Sequence, residues 1–393
     1  MPGKTLLLSQ RPGGLATFNI QDGFNEALLR GLQLGFLSDA DYRSILQCEN
    51  LADVKLNLQE TDYGAYVGDV AQISPSIVRE KALEKLVNEF NLLRANANQP
   101  LSQFLEFIRY DYMIDNVMLI LKATLNNPNV DVASLIKQTH PLGQFEESVF
   151  NSICAFENSP KGYAELYQSV LIDTPIGPYF ARFLQEESAK VSQDASYVQN
   201  LLEELPTTKL ESSLRKLYLE DFLEFCQGLG GDTATIMTDV IKARADATAI
   251  NITLNSFGTM LNDPNLRESE RKPLYPSMGF LYPEGTDKLS QVGDEMELAA
   301  VLRTYQVYRG IFDKHQRGDK TIDDAFYERE VQLNEMAWEG QFHYAAYYSY
   351  VRLKEQEIRN LVWICECIVQ RQKDRASDHF VPVFSREASY RKR

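Results

Sequence analysis

Apolar residues recur at three- and four-residue spacing along nearly the whole chain, as at Phe104, Phe107, Ile108 and Tyr112. That spacing predicts helices with one face turned to a core. The strict apolar/polar alternation of a half-buried strand is hard to find. Turn-forming clusters fall where helices should stop or start: "NNPN" at 126, "HPLG" at 140, "NSPKG" at 158, "GLGGDT" at 228, "NDPN" at 262 and "YPEG" at 282. The pattern predicts an all-α protein of a dozen or more helices.

Two end segments fall outside this pattern: residues 1–17, rich in Gly and Pro, and the basic tail "SREASYRKR" at 385–393. Between them, residues 18–384 read as a single helical domain carrying a faint internal repeat. "DYRSILQCENLADVKLNL" from Asp41, "LYQSVLIDTPIGPYFARFL" from Leu166 and "DKLSQVGDEMELAAVL" from Asp287 share a Leu, a short polar break and a second apolar stretch. Aligning Leu46, Leu171 and Leu289 sets the copies at about 18–126, 160–262 and 284–371. Each is followed by a longer helix with one Asn in an aliphatic stripe: Asn116 in "MIDNVMLIL", Asn251 in "TAINITLNSF" and Asn360 in "EIRNLVWIC". Buried, these amides would hydrogen-bond backbone ends where helical bundles meet; the other reading has them edge onto solvent.

"RLKEQEIRNLVWICECIVQR", 352–371, combines a Trp, a Cys-x-Cys pair and several charges without Gly or Pro. On a helix the side chains of Cys365 and Cys367 diverge by about 200°, so they cannot share a metal. Structural zinc also needs four converging ligands. Lys354, Glu355, Glu357, Arg359 and Glu366 interrupt any membrane-spanning window. A core helix remains. The adjoining "FHYAAYYSY" predicts a helix face of Phe342, Ala346 and Tyr350 that packs in the core or faces a partner.

Candidate chemistry is sparse. His140, His315, His343 and His379 are far apart and show no H-E-x-x-H spacing. "GLGGDT" lacks the G-K-[ST] ending of a phosphate loop and reads as a turn feeding a helix capped by Asp232 or Thr233. There is no G-x-S-x-G elbow. No catalytic, cofactor or metal residue emerges.

A net charge of −15 argues against a phosphate-neutralising surface, hence against nucleic acid as a partner, and against anionic lipid. A hydrophobic content of 44% with 20 Tyr and 20 Phe excludes a disordered acidic chain. Five scattered cysteines suit a reducing compartment. With no span and no secretory leader in the sequence, the cytosol is the expected location.

Several segments together resemble a known family: 18–64, "YDYMIDNV" (110–117), "HPLGQF" (140–145), "DTPIGPYF" (173–180), "TLNSFGT" (253–259), "GFLYPEG" (279–285), 353–371 and "FVPVF" (380–384). They are similar, in the same order, to the family that comprises subunit d of eukaryotic vacuolar-type proton-pumping ATPases (V-ATPases) and its kin, the C subunit of the archaeal-type enzymes. The resemblance covers roughly residues 18 to 384. The N-terminal arm, the basic tail and extra residues around 187–196 depart from it.

The resemblance implies a funnel-shaped body of three pseudo-symmetric helical bundles without catalytic residues or cofactor. It implies a peripheral protein on the cytoplasmic face of vacuolar or other acidic-organelle membranes. The partners implied are the proteolipid (c) ring, the central shaft subunits D and F, and subunit a of the membrane sector. Competing readings from the residues alone are a stand-alone helical scaffold or adaptor and an enzyme whose site is unrecognised.

Overall fold

The computed structural model describes residues 14–126, 132–145, 149, 174–188, 207–316 and 321–385. All regular structure among them is helical, in keeping with the all-α expectation. In chain order the α-helices are α1 (Gly14–Gln21), α2 (Gly23–Leu32), α3 (Asp39–Gln47), α4 (Leu51–Gln59), α5 (Gly64–Val67), α6 (Pro75–Ala95), α7 (Leu101–Asn126) and α8 (Val132–Gln138). There follow α9 (Gly177–Ser188), α10 (Thr207–Leu229), α11 (Gly231–Ser256), α12 (Glu284–Gln291), α13 (Glu295–Arg303), α14 (Gln306–Gln316), α15 (Ile322–Glu339) and α16 (Ala345–Val369). No helix among the described residues is long and apolar enough to cross a membrane.

Three times a long helix is followed after a short connection by a longer one: α6 then α7, α10 then α11, α15 then α16. Local chemistry sets the starts. Ser74 caps α6 by accepting from Ile77 N, with Pro75 at the first helical position. Thr321 and Asp324 form a capping box at α15. One turn opens both α5 and α9, with Gly64 N donating to Thr61 O (2.9 Å) and Gly177 N to Thr174 O (2.9 Å), whereas at α12 Gly285 N reaches one residue further back, to Leu281 O (2.6 Å). At Gly64 a Cβ would lie 2.5 Å from Gln59 O, so the turn needs glycine there.

The chain divides into two compact units, one of residues 1–105, 226–243 and 298–393, the other of 106–225 and 244–297. In the first, α16 packs against α15 and α6. It is buried nearly all round, which is why its apolar stripe is so broad. Leu353 joins Val331, Val381 and Val383 in a cluster flanked by Phe36, Tyr327 and Phe384. In the second unit Phe107 stacks on Phe222 (5.2 Å between centroids) and Phe225 (4.7 Å).

Two local expectations change. The "FHYAAYYSY" helix begins at Ala345, so Phe342 lies in the preceding turn with φ 66°, while Ala346 and Tyr350 are buried. In "GLGGDT", Gly230 and Gly231 take positive φ and α11 starts at Gly231, which puts Asp232 and Thr233 inside the first turn. Thr233 is no cap: its hydroxyl accepts from Tyr344 N (3.0 Å). Cys154 and Leu171, an anchor of the repeat alignment, lie outside the described residues, as do 189–196.

Candidate functional site

Asn116 is 1% exposed on α7; its amide donates to His140 O (2.9 Å) and its carbonyl accepts from His140 N (2.7 Å). Asn360, also 1% exposed, does the same on α16 to Val381, through 2.6 Å and 3.2 Å bonds. A primary amide carries one acceptor and one donor end, matching the N–H and C=O of a single residue. Both gripped residues precede a proline, Pro141 and Pro382, which biases them to the extended backbone that presents both groups sideways.

Asn251 departs from this pattern, because its side chain is exposed. Instead Asp246 of α11, fully buried, accepts from Phe280 N (2.9 Å) and Leu281 N (3.2 Å). Asn116, Asp246 and Asn360 are each the sixteenth residue of their helices. A carboxylate has only acceptors, so it takes two N–H groups where the amides take one N–H and one C=O. Two glycines make close approach possible. A Cβ on Gly143 would lie 2.3 Å from the Tyr112 backbone; one on Gly279, at φ 131°, would lie 2.0 Å from Asp246 Oδ1. Each long helix thus latches a loop that follows it.

Buried charge supplies the second element. Lys354 and Glu357, 1% and 0% exposed, pair at 2.7 Å on α16. Glu357 also accepts from Tyr63 OH (2.6 Å) and Leu37 N (2.7 Å), while Lys354 donates to Gly35 O (2.5 Å) and lies over the Phe36 ring. In the other unit, Asp111 of α7 pairs with Arg244 of α11 and faces Arg215 of α10, whose second amino group reaches Asp115 (2.5 Å) and Glu211 (3.0 Å). The pairs of Asp111 and Asp115 thus brace α7 to α10 and α11.

A third element grips the turn before α16. Asp22, Glu26 and Arg30 recur every four residues on α2 and its cap, so they share one face. Asp22 accepts from Tyr344 OH (2.7 Å), Glu26 from Phe342 N (3.1 Å), and Arg30 donates to the carbonyls of Trp338 and Gly340. His343 sits in this turn, 1% exposed, with neither ring nitrogen hydrogen-bonded. Burial, then the nearby Arg30, holds its pKa below the usual histidine value, against the opposing pull of Glu26 and Asp232.

Between that lowered pKa and about 6.5, the unfolded chain binds more protons at this histidine than the native one. Stability should therefore fall as pH descends from about 6.5. In His343→Gln that acid-dependent loss should shrink, which melting temperatures of both proteins from pH 7.5 to 5 will measure.

The remaining candidates are structural in placement. Cys365 and Cys367 are buried, and burial pushes both thiols up, Cys365 to about 12, so neither is a thiolate at neutral pH. Replacing both by Ala should cost about 1–3 kcal/mol through lost packing, read by urea denaturation, and leave assembly intact. His140 stacks on Tyr112, and His379 Nδ1 lies 2.6 Å from Asp324 Oδ2. Among the described residues no three His, Cys, Asp or Glu side chains gather as metal ligands.

Fold and latches define an all-helical protein built on long, internally latched helices. Residues 25–379 match the model of the ATP synthase (C/AC39) subunit family. The chain is 43% identical over 376 residues to V-type proton ATPase subunit d of Dictyostelium discoideum, covering 95% of this chain and 98% of that one. It is 33% identical to the V-type proton ATPase subunit d of Saccharomyces cerevisiae, covering 92% and 97%. It is more distantly similar, at 22% identity over 88% and 86%, to the C subunit of the A-type ATP synthase of a Desulfurococcus species. The chain belongs to the ATP synthase (C/AC39) subunit family.

Proposed function

We propose that the chain is the subunit d of a V-type proton ATPase, acting as a non-catalytic coupler between the proteolipid ring and the central shaft subunits D and F. In this reading it is peripheral, on the cytoplasmic face of an acidic organelle's membrane, and turns with the rotor. Its three weak repeats, about 18–126, 160–262 and 284–371, would each carry one pair of long helices. ATP is split elsewhere in the assembly, and the chain passes torque to proton transport.

The observation that carries this reading is likeness to V-type subunits d along almost the full length of both partners. The interior suits the task. A torque-bearing part must resist shear, and close-packed helices locked to their loops and to each other by buried polar bonds resist it better than flexible linkers. Pull-down of the tagged chain from detergent-solubilised membranes tests the assignment. Recovery of proteolipid together with shaft subunits is the expected outcome. Recovery of soluble partners alone would favour the free-standing scaffold instead.

A further inference from the structure

We propose that the loop-rich face of the second unit formed by residues 258–297 is a docking surface for a positively charged amphipathic segment of a partner chain. The inference deepens the reading of the protein as a subunit of a larger assembly and rests on it.

The face is held from beneath by arginine. Arg271 is fully buried and donates to Ser256 Oγ (2.8 Å), Ser290 O (2.6 Å) and Val292 O (2.7 Å). Arg267 spans from Asn262 O (2.9 Å) to Gln291 O (2.6 Å), and Asn262 Nδ2 donates to Gly293 O (2.9 Å). Segments 260–272 and 289–293 are thereby joined, and Asp246 fixes the backbone at Phe280 and Leu281. Side chains displayed on such a prearranged backbone lose less freedom when a partner binds.

What this frame displays is apolar. Met260 and Met296 are each 80% exposed, with Tyr282 and Phe280 at 48% and 39%. These are four of the twelve large hydrophobic side chains exposed among the described residues, within a stretch of forty. Met260 lies two residues from Asn262 and Met296 three from Gly293, so the Asn262–Gly293 bond sets them on either side of one junction. Methionine adapts its shape to a partner's side chains, as promiscuous binding surfaces exploit.

Charge selects the partner. Residues 258–297 hold eight carboxylates and four cations, and the cations are engaged within the face itself. Arg267 and Arg271 serve backbone carbonyls, Lys272 pairs with Glu268 and Asp287, and Lys288 with Glu284. Asp263, Asp294, Glu295 and Glu297 are all exposed around the methionines. An incoming segment must therefore cover apolar side chains and meet a negative rim. Lys or Arg flanking Leu, Ile, Val or Phe satisfies both demands, whereas an acidic segment or anionic lipid would be repelled.

The test uses the complete, purified assembly. A photoreactive phenylalanine analogue is placed at Met260 or Met296, and the cross-linked peptide is sequenced. The expected product is a protein segment of net positive charge that alternates basic and apolar residues. A product in an acidic or uncharged segment, a lipid adduct, or no product at either position overturns the proposal. Two double variants add a quantitative arm: Met260→Asp/Met296→Asp, and Glu284→Lys/Asp287→Lys, which alters only exposed ion pairs of small energetic worth.

Each double variant should weaken retention of the cross-linked chain by about tenfold or more at low salt. For the charge reversal the difference should shrink as salt is raised. Unchanged retention in both, with unchanged melting of the isolated chain, also overturns it. The identity of the cross-linked segment does not depend on whether the subunit rotates, so failure here is distinguishable from failure of the coupling role.

Discussion

Replacing Glu357 by Ala should destabilise the chain by about 3–5 kcal/mol, the cost of leaving a buried cation without its partner. Lys354 would keep the Gly35 carbonyl and the Phe36 and Tyr63 rings but no carboxylate on its own helix turn, and Leu37 N and Tyr63 OH would each lose an acceptor inside the protein. The Lys354→Met/Glu357→Leu double variant should be less damaging than the sum of its single changes, because it removes both charges together. Urea denaturation of the four proteins reads the coupling directly. Strict additivity would mean that the two charges do not depend on each other.

The second large effect is at Asp246. Asp246→Asn, though it installs the residue found at the equivalent place in α7 and α16, should cost about 1–3 kcal/mol, since Phe280 N and Leu281 N donate to different carboxylate oxygens and an amide would turn an NH2 donor toward one of them. Gly279→Ala should cost at least as much, because the new methyl meets the Asp246 carboxylate and the backbone sits at φ 131°. Asn251→Asp, on the exposed side of the same helix, should stay within about 0.5 kcal/mol of the parent. Thermal melts of the three variants compare them. Equal losses at 246 and 251 would remove the distinction between latch and surface.

Helix content and the core role of 352–371 were legible because both rest on apolar periodicity, a local property of the sequence. The latches were legible only in part. Asn116 and Asn360 stand out as polar residues in aliphatic stripes, and so does Asn251, yet periodicity does not tell a helix's buried side from its exposed one when both are mostly apolar. The signal for Asp246 was its helix register: counted from Gly231 it falls where Asn116 and Asn360 fall. That count needs helix starts, which the glycines at 230 and 231 blur in sequence.

In the sequence Lys354 and Glu357 serve only to argue against a membrane span, and their burial goes against the rule that charged residues are seldom fully buried. Their i, i+3 spacing on a helix without a polar face was the one clue that they pair inside. Arg271 gave no clue of its own. Its partners are the Ser256 hydroxyl and backbone carbonyls up to 21 residues away, and such long-range backbone pairing leaves no mark on residue type.

Rotation with the ring is the central claim, and covalent tethering tests it most directly. One disulfide is engineered between this chain and a proteolipid of the ring, another between it and a stationary subunit. ATP-driven acidification of vesicles is then measured before and after reduction. A subunit that turns with the ring should pump normally when tethered to it, whereas the stationary tether should block both acidification and coupled ATP hydrolysis until it is reduced. Reversible arrest by the ring tether, with pumping undisturbed by the stationary one, would contradict rotation and assign the subunit to the stator.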